Sequence, residues 1–290
     1  MDTVRPQRTL ASSAAVEGFG YWSGRDVRVE FHPAAADTGI VFVRTDLAGA
    51  PRIPARVENR VEIPLRTALR VGHASVEMIE HVMAALAGLG IDNCEVAVDA
   101  AEMPGFDGSA AGFVAALDAA GLVVQTAVRR RCTVGRSLRC SHQGNWIEAR
   151  PSRQGRTVLA YYLDYGPGPI GRQRFQIALT PESFRRELAC CRTFLLEEQA
   201  DWLRARGLGL RAGYGDLLVF GPQGPIDNTL RFPDECVRHK MLDMVGDLAL
   251  AGCDLIGCFT ACRSGHRLNA QLVRALASAG AYRQPLRRCA

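Results

Sequence analysis

The chain of 290 residues is 48% hydrophobic and 22% charged, which fits a globular protein with one large core or, as expected here, two ordinary ones. No apolar run is long enough to span a bilayer, and Met1-Asp2-Thr3-Val4-Arg5-Pro6 lacks the apolar core of a secretion signal, so a cytoplasmic protein is expected. A net charge of +5 suits a polyanionic partner, but the arginines are dispersed and not interleaved with aromatics, which favours a small phosphorylated ligand over nucleic acid.

Residues 7 to 47 read as strands joined by turns. Val27, Val29 and Phe31 alternate with polar residues, and Ile40-Val41-Phe42-Val43 forms a short apolar run after Asp37-Thr38-Gly39. Gly18-Phe19-Gly20-Tyr21-Trp22-Ser23-Gly24 is glycine-rich but has neither the lysine nor the helix of a phosphate loop. From Ser75 to Leu89 the period turns helical, with Ile79, Val82, Met83 and Leu86 spaced by three and four and Ser75 placed as N-cap. This helix carries Glu80-His81, neighbours that point about 100° apart. If His81 binds a metal, Glu80 can reach a water in the open ligand position. Cys94 to Val98 reads as a strand, and Asp107 or Ser109 as the cap of a helix through Leu117.

Strands restart after Arg129-Arg130-Arg131, which places a domain boundary near residue 127. Val158 to Leu163 and Phe175 to Leu179 read as strands, Pro181-Glu182 as the start of a short helix, and Leu195 to Arg206 as a longer one. A helix capped by Asp234 runs to about Ala251. It is followed by a strand from Leu255 to Thr260, the turn Ser264-Gly265-His266 and a helix carrying Leu268, Leu272, Val273 and Leu276. The order of histidine-bearing helix, strand, turn and helix thus occurs twice, at 75 to 121 and 234 to 279, which predicts a diverged internal repeat. Two such layers facing each other would bring His81 and His239 to one interface.

The stretch from Val237 to Leu248 sets His239, Asp243 and Asp247 on one helical stripe. An exposed His/Asp stripe explains that spacing as readily as a metal site does. Lys240 is the only lysine among 35 Lys and Arg residues, which marks a place for a compact ammonium. His81, His239 and Asp243 together make two imidazoles and a carboxylate, a zinc donor set with one position left for water and equally suited to ferrous iron. Glu80 is the natural general base beside it. His32, His73 and His142 fall in strands or loops as bystanders. The ten cysteines include no CxxC pair, and Cys236 near His239 has no matching pair to complete a four-ligand site, so reduced thiols are expected.

The segments Asp37-Thr38-Gly39-Ile40 through Arg44-Thr45-Asp46-Leu47, Glu80-His81 through Gly88-Leu89-Gly90-Ile91-Asp92-Asn93, and Glu102-x-Pro104-x-x-Asp107-Gly108-Ser109 belong to one series. It continues in Arg192-Thr193-Phe194, in Leu230-Arg231-Phe232-x-Asp234-Glu235 through His239-Lys240-x-Leu242-Asp243-x-x-Gly246-Asp247-Leu248, and in Ser264-Gly265-His266-x-Leu268-Asn269. Together, in order from about residue 7 to 280, these motifs resemble the UDP-3-O-acyl-N-acetylglucosamine deacetylases. The resemblance implies a zinc amidase that removes acetate from UDP-3-O-acyl-GlcNAc in lipid A synthesis of Gram-negative bacteria. It implies His81, His239 and Asp243 as ligands, Glu80 as base, and His266 as general acid supported by Asp247. Thr193 would serve the oxyanion, Lys240 the substrate phosphate or reacting centre, and Phe194 the bound substrate.

The implied fold is α+β, with two related βααβ-type sandwiches, helices packed between the sheets and the active site at their interface. Residues 1–127 would carry Glu80 and His81, and residues 128–290 would carry Thr193, His239, Asp243, Asp247 and His266. The expected partner is a UDP-linked acylated amino sugar, bound by a monomer that touches the membrane surface only transiently through the acyl chain. Trp22 stands where the family has His before Ser-Gly, Ala270 replaces its second Asn, and the segment at 211 to 218 differs. These departures keep two alternatives open: a paralogue acting on another N-acyl amino sugar, and a non-catalytic sugar-nucleotide binder. The intact Glu80 and His266 argue against the second.

Overall fold

The computed structural model describes residues 5–278 together with the strand Tyr282–Arg283. Strand Asp26–Pro33 buries Val27, Val29 and Phe31 and turns Arg28 outward, the alternation of a sheet with one wet face. It lies second in a five-stranded sheet ordered Ala14–Phe19, Asp26–Pro33, Cys94–Val98, Ile40–Arg44 and Arg52–Pro54. Only Cys94–Val98 with Ile40–Arg44 is parallel. A second sheet repeats this order and these directions with Leu138–His142, Asn145–Arg150, Cys258–Cys262, Val158–Asp164 and Arg172–Ala178. The repeat inferred from the sequence is thus written in the strand topology, and the class is α+β.

The α-helices are α1 (Glu80–Leu89), α2 (Ala111–Ala120), α3 (Pro181–Glu187), α4 (Glu197–Arg204), α5 (Glu235–Ala249) and α6 (His266–Ser278). A parallel strand pair needs a crossover, and each half supplies one that contains a central helix, α1 or α5. These two pack on each other, while α2 covers strand Ala14–Phe19 and α6 covers the equivalent strand Leu138–His142. Every residue of α1 except Ala87 is buried, as a helix apolar on nearly all sides requires. The closest approach is at Gly246, where an added Cβ would lie 2.0 Å from the Glu80 carbonyl oxygen and 3.2 Å from the Ala84 nitrogen. Backbone meets backbone there, and only glycine fits. Among the described residues no helix is long and apolar enough to cross a membrane.

Several local expectations are corrected. Ser75 caps nothing, because Ala74–Glu77 is a strand paired with Ala68–Val71, and Met78 at φ +58° turns the chain before α1 begins at Glu80. Pairing with the neighbouring strand outweighs the helical spacing of the apolar residues. The expected helix from Leu195 starts at Glu197, since Phe194–Leu196 pairs in parallel with Leu218–Phe220. The expected strand from Leu255 to Thr260 divides at Gly257 into Asp254–Ile256 and Cys258–Cys262, which join different sheets. Asp234 occupies the N-cap of α5, yet its carboxylate accepts from Arg238 Nε at 2.6 Å and caps no amide. α2 starts at Ala111; Asp107 accepts from the Ser109 amide and hydroxyl, and Ser109 Oγ accepts from the Ala111 amide at 3.1 Å. All nine described cysteines are unpaired thiols.

Each half carries an insertion toward the α1–α5 seam. In the first half it is the sheet of Arg60–Val61, Ala68–Val71 and Ala74–Glu77. In the second it runs through α3, Phe194–Leu196, α4 and Leu218–Gly221. The site lies between the two insertions.

Candidate active site

α1 and α5 bring together the three side chains that spacing alone had left ambiguous. Nε2 of His239 lies 3.3 Å and Nε2 of His81 lies 3.6 Å from Oδ1 of Asp243. One ligand atom from each of the three falls within 4.8 Å of the others. All three residues are buried, and Asp243 Oδ1 has no hydrogen-bond partner. A buried carboxylate oxygen facing two imidazole nitrogens is costly unless a cation joins them. The donor set therefore fits a metal.

The tautomer of His239 follows from its neighbour. Its Nδ1 lies 3.0 Å from the Cys191 carbonyl, an acceptor only, so Nδ1 carries the proton and Nε2 keeps its lone pair for a metal. Burial, with Asp243 opposing, depresses its pKa to about 4, so the ring stays neutral. Asp243 is held well below the usual carboxylate range: burial works against it, but His239 and Lys240 prevail. Lys240 Nζ donates to Asp243 Oδ2 at 2.6 Å. Burial disfavours the ammonium, yet Asp243 and Tyr161 raise its pKa above the ordinary lysine value. The single lysine thus fastens one oxygen of a candidate metal-ligand carboxylate and also lines the cleft. Lys240→Ala is expected to lower metal affinity about 10- to 100-fold, the usual cost of losing a contact behind a ligand. Competition with a chelating indicator measures it.

Glu80 begins α1, where the helix dipole favours an anion. Its Oε2 accepts from the Thr67 amide at 2.9 Å, and its Oε1 lies 3.9 Å from His266 Nε2. Burial raises its pKa, with His266 and His81 opposing. His266 opens α6, and its Nδ1 donates to Asp247 Oδ2 at 2.9 Å. Asp247 also accepts from Thr67 Oγ1 at 2.6 Å and Asn269 Nδ2 at 2.8 Å. Burial penalises the imidazolium, but Asp247 and Glu80 outweigh it and raise the His266 pKa to about 9. A raised histidine pKa stabilises the fold fully below its unfolded value near 6.5. That contribution disappears as pH rises through about 9. If His266 is the acid, the alkaline limb of activity falls near pH 9, and Asp247→Asn moves it to lower pH, as a pH–rate profile reads directly.

The remaining sequence candidates lie on the rim. Thr193 is pinned by donating its amide to Gly108 O at 2.8 Å and accepting at its carbonyl from the Leu218 amide at 3.0 Å, and the residue is part of the cleft lining. The Phe194 ring stands edge-on to His239 with centroids 6.3 Å apart. Asp247 is no fourth ligand: its oxygens are all engaged elsewhere. The cleft has a cavity volume of about 190 Å³, and an apolar wall of Leu195, Ala200, Leu203, Leu217 and Val219 leads from His81, His239 and Asp243. Trp22 joins the lining; its amide and that of Ser23 donate to Glu102, both at 2.8 Å, and Arg66 lies 4.4 Å over its ring.

Sequence reasoning missed Thr67 and the Cys191 carbonyl, and it quoted Glu102 in a motif without giving it a role. Thr67 and Glu102 come from non-helical segments with no periodic signal, and a backbone acceptor leaves no residue signature. The Lys240–Asp243 contact was readable, since residues three apart on a helix are neighbours.

A family model described as UDP-3-O-acyl N-acetylglycosamine deacetylase (LpxC) matches residues 7–278. Proteins named UDP-3-O-acyl-N-acetylglucosamine deacetylase from Brucella ovis, Brucella abortus and Brucella suis are each 40% identical to this chain over 274 residues. That span covers 94% of this chain and 95% of theirs. With the match extending across both sheets and every element of the cleft, the chain belongs to the UDP-3-O-acyl N-acetylglycosamine deacetylase family.

Proposed function

We propose that this chain is a metal-dependent amidase that removes the acetyl group from UDP-3-O-acyl-N-acetylglucosamine on the way to lipid A. The observation that carries the reading is the unpartnered Asp243 Oδ1 facing His81 and His239, with Glu80 and His266 close beside it. His81, His239 and Asp243 would hold the metal, which we assign as zinc, with ferrous iron the alternative for the same donors. When bound, the metal supplies Lewis acidity toward water and the amide carbonyl.

The chain's own groups divide the proton work. Glu80, held by the Thr67 amide, takes a proton from the attacking water as its oxygen bonds to the acetyl carbon. The Thr193 hydroxyl donates to the oxyanion that develops on the carbonyl oxygen. His266, kept charged by Asp247, hands its proton to the amide nitrogen as the C–N bond breaks, leaving acetate and a free amine. Phe194 and the wall from Leu195 to Val219 take the acyl chain, and Lys240 steadies Asp243 at the reacting centre.

The same reading divides the chain near residue 127 into a lobe that gives Glu80 and His81 and a lobe that gives the other groups. It places the protein in the cytoplasm as a monomer. Exposed Leu65, Trp202 and Leu210 lie on or next to segments that line the cleft, which suits brief contact with a membrane surface when the acyl chain enters.

Glu80→Gln is expected to keep its metal and lose about 10²- to 10⁴-fold in acetate release. A folded, metal-loaded wild-type protein that releases no acetate from substrates of several acyl lengths would sink the assignment. Trp22 in the cleft lining favours a second reading, a deacetylase for a related N-acyl sugar. Turnover that is indifferent to the UDP group would select it.

A further inference from the structure

Toward the C-terminal ends of α1 and α5 a second cleft opens between the two halves. Its floor is apolar, including Ile40, Met83, Val245, Leu248 and Phe259. Along α5, Leu248 lies about 13 Å from His239, at 1.5 Å per residue. Five arginines line this cleft, Arg5, Arg8, Arg56, Arg129 and Arg156, against three acidic groups, Asp92, Glu182 and Asp254.

Two of the arginines are already spent. Arg5 binds Asp92 at 2.7 Å and Asp254 at 2.8 Å, and Arg129 binds the same pair at 2.9 and 3.1 Å. The guanidinium groups of Arg8, Arg56 and Arg156 have no hydrogen-bond or ion-pair partner among the described residues. Glu182 alone remains to face them, and it acts on Arg8 through space. One of these groups lies against a glycine. At Gly252, φ is +63° and an added Cβ would lie 1.9 Å from Arg56 Nη1, so that guanidinium rests against bare main chain.

The dipole at the end of α5 accounts for a cation beside Gly252. It does not account for Arg8 and Arg156, which come from opposite halves of the chain to the same cleft. Unpaired planar forks above an apolar floor match a phosphate group carried on an apolar body. We propose that this cleft is a second binding site, for a phosphorylated small molecule. Its phosphate is held by Arg8, Arg56 and Arg156, and its apolar part lies on the floor formed by α1, α5 and the sheets. Such a ligand ties the two halves together at the end away from the chemistry, and it stabilises the folded protein by mass action.

Calorimetric titration of the metal-loaded protein with inorganic phosphate and with hexyl phosphate tests this. One equivalent of each is expected to bind, hexyl phosphate at least about tenfold more tightly because its methylenes are buried. Arg56→Gln and Arg156→Gln should each weaken binding about tenfold, the worth of one charge-assisted contact. Lys240→Ala in the other cleft should leave it unchanged. Arg156 is exposed, so its replacement leaves the fold intact and keeps the test decisive. Absence of binding, or affinities untouched by both arginine substitutions, would overturn the site and leave Arg56 as a helix-end counter-charge and Arg8 and Arg156 as solvated cations. Equal affinity for the two probes would overturn the apolar part of the assignment.

Discussion

His239→Ala is expected to empty the metal site and abolish acetate release while the fold survives. The imidazole is 2% exposed and makes one polar contact within the protein scaffold apart from its approach to Asp243, the bond to the Cys191 carbonyl. Truncation therefore removes one of three donors and frees one buried acceptor, with no wider network to collapse. The loss in metal affinity should exceed the roughly 10- to 100-fold expected for a supporting contact such as Lys240. Elemental analysis after dialysis, beside circular dichroism, measures both halves of the claim. His73→Ala and His142→Ala, at exposed positions, serve as controls and should keep metal and activity. A His239→Ala protein that retains a full equivalent of metal at the site would remove His239 from the ligand set.

Gly246→Ala should cost about 3 kcal/mol or more of stability, at the upper end of overpacking, because nothing at the contact can yield. The added methyl would meet the Glu80 carbonyl and the Ala84 nitrogen, both main-chain atoms of α1. Relief requires the two helices to separate. Separation moves Glu80 and His81 away from His239 and Asp243, since the first pair rides on α1 and the second on α5. Stability and metal affinity should therefore fall together, the first read by thermal melting and the second by chelator competition. If Gly246→Ala melts like wild type and binds metal normally, the helices are not in backbone contact at this point.

The legible part of this protein was periodic. Helical spacing put His239, Asp243 and Asp247 on one face, and the repeated order of elements anticipated two sheets that share one strand order. The errors came where strand pairing overrode local pattern. Residues 74–77 and 194–196 have sequences that a helix would accept, yet each finds a neighbouring strand, Ala68–Val71 in one case and Leu218–Phe220 in the other. The first is a hairpin closed at Gly72-His73 and so local, whereas the second pairing is non-local and leaves no mark in a short window of sequence. Thr67 shows the same limit at the site: it serves Glu80 with its amide and Asp247 with its hydroxyl, from the non-helical segment just before strand Ala68–Val71. The roles of His266, Asp247 and Thr193 came from family resemblance, and the geometry places the first two in hydrogen-bond contact and Thr193 on the cleft wall.

The bond from Lys240 to Asp243 Oδ2 has a consequence for metal choice. A carboxylate with one oxygen engaged by an ammonium has its other oxygen more readily available to a cation, so Asp243 would favour ligation through Oδ1. The protein then presents two nitrogens and a single oxygen. Calcium, which collects six to eight oxygens, and magnesium, which demands an octahedral oxygen shell, gain little from such a set, whereas a borderline ion content with imidazole gains most of what it needs. With Asp243 as a ligand, the only lysine in the chain would bias the site against hard cations by engaging one of its oxygens.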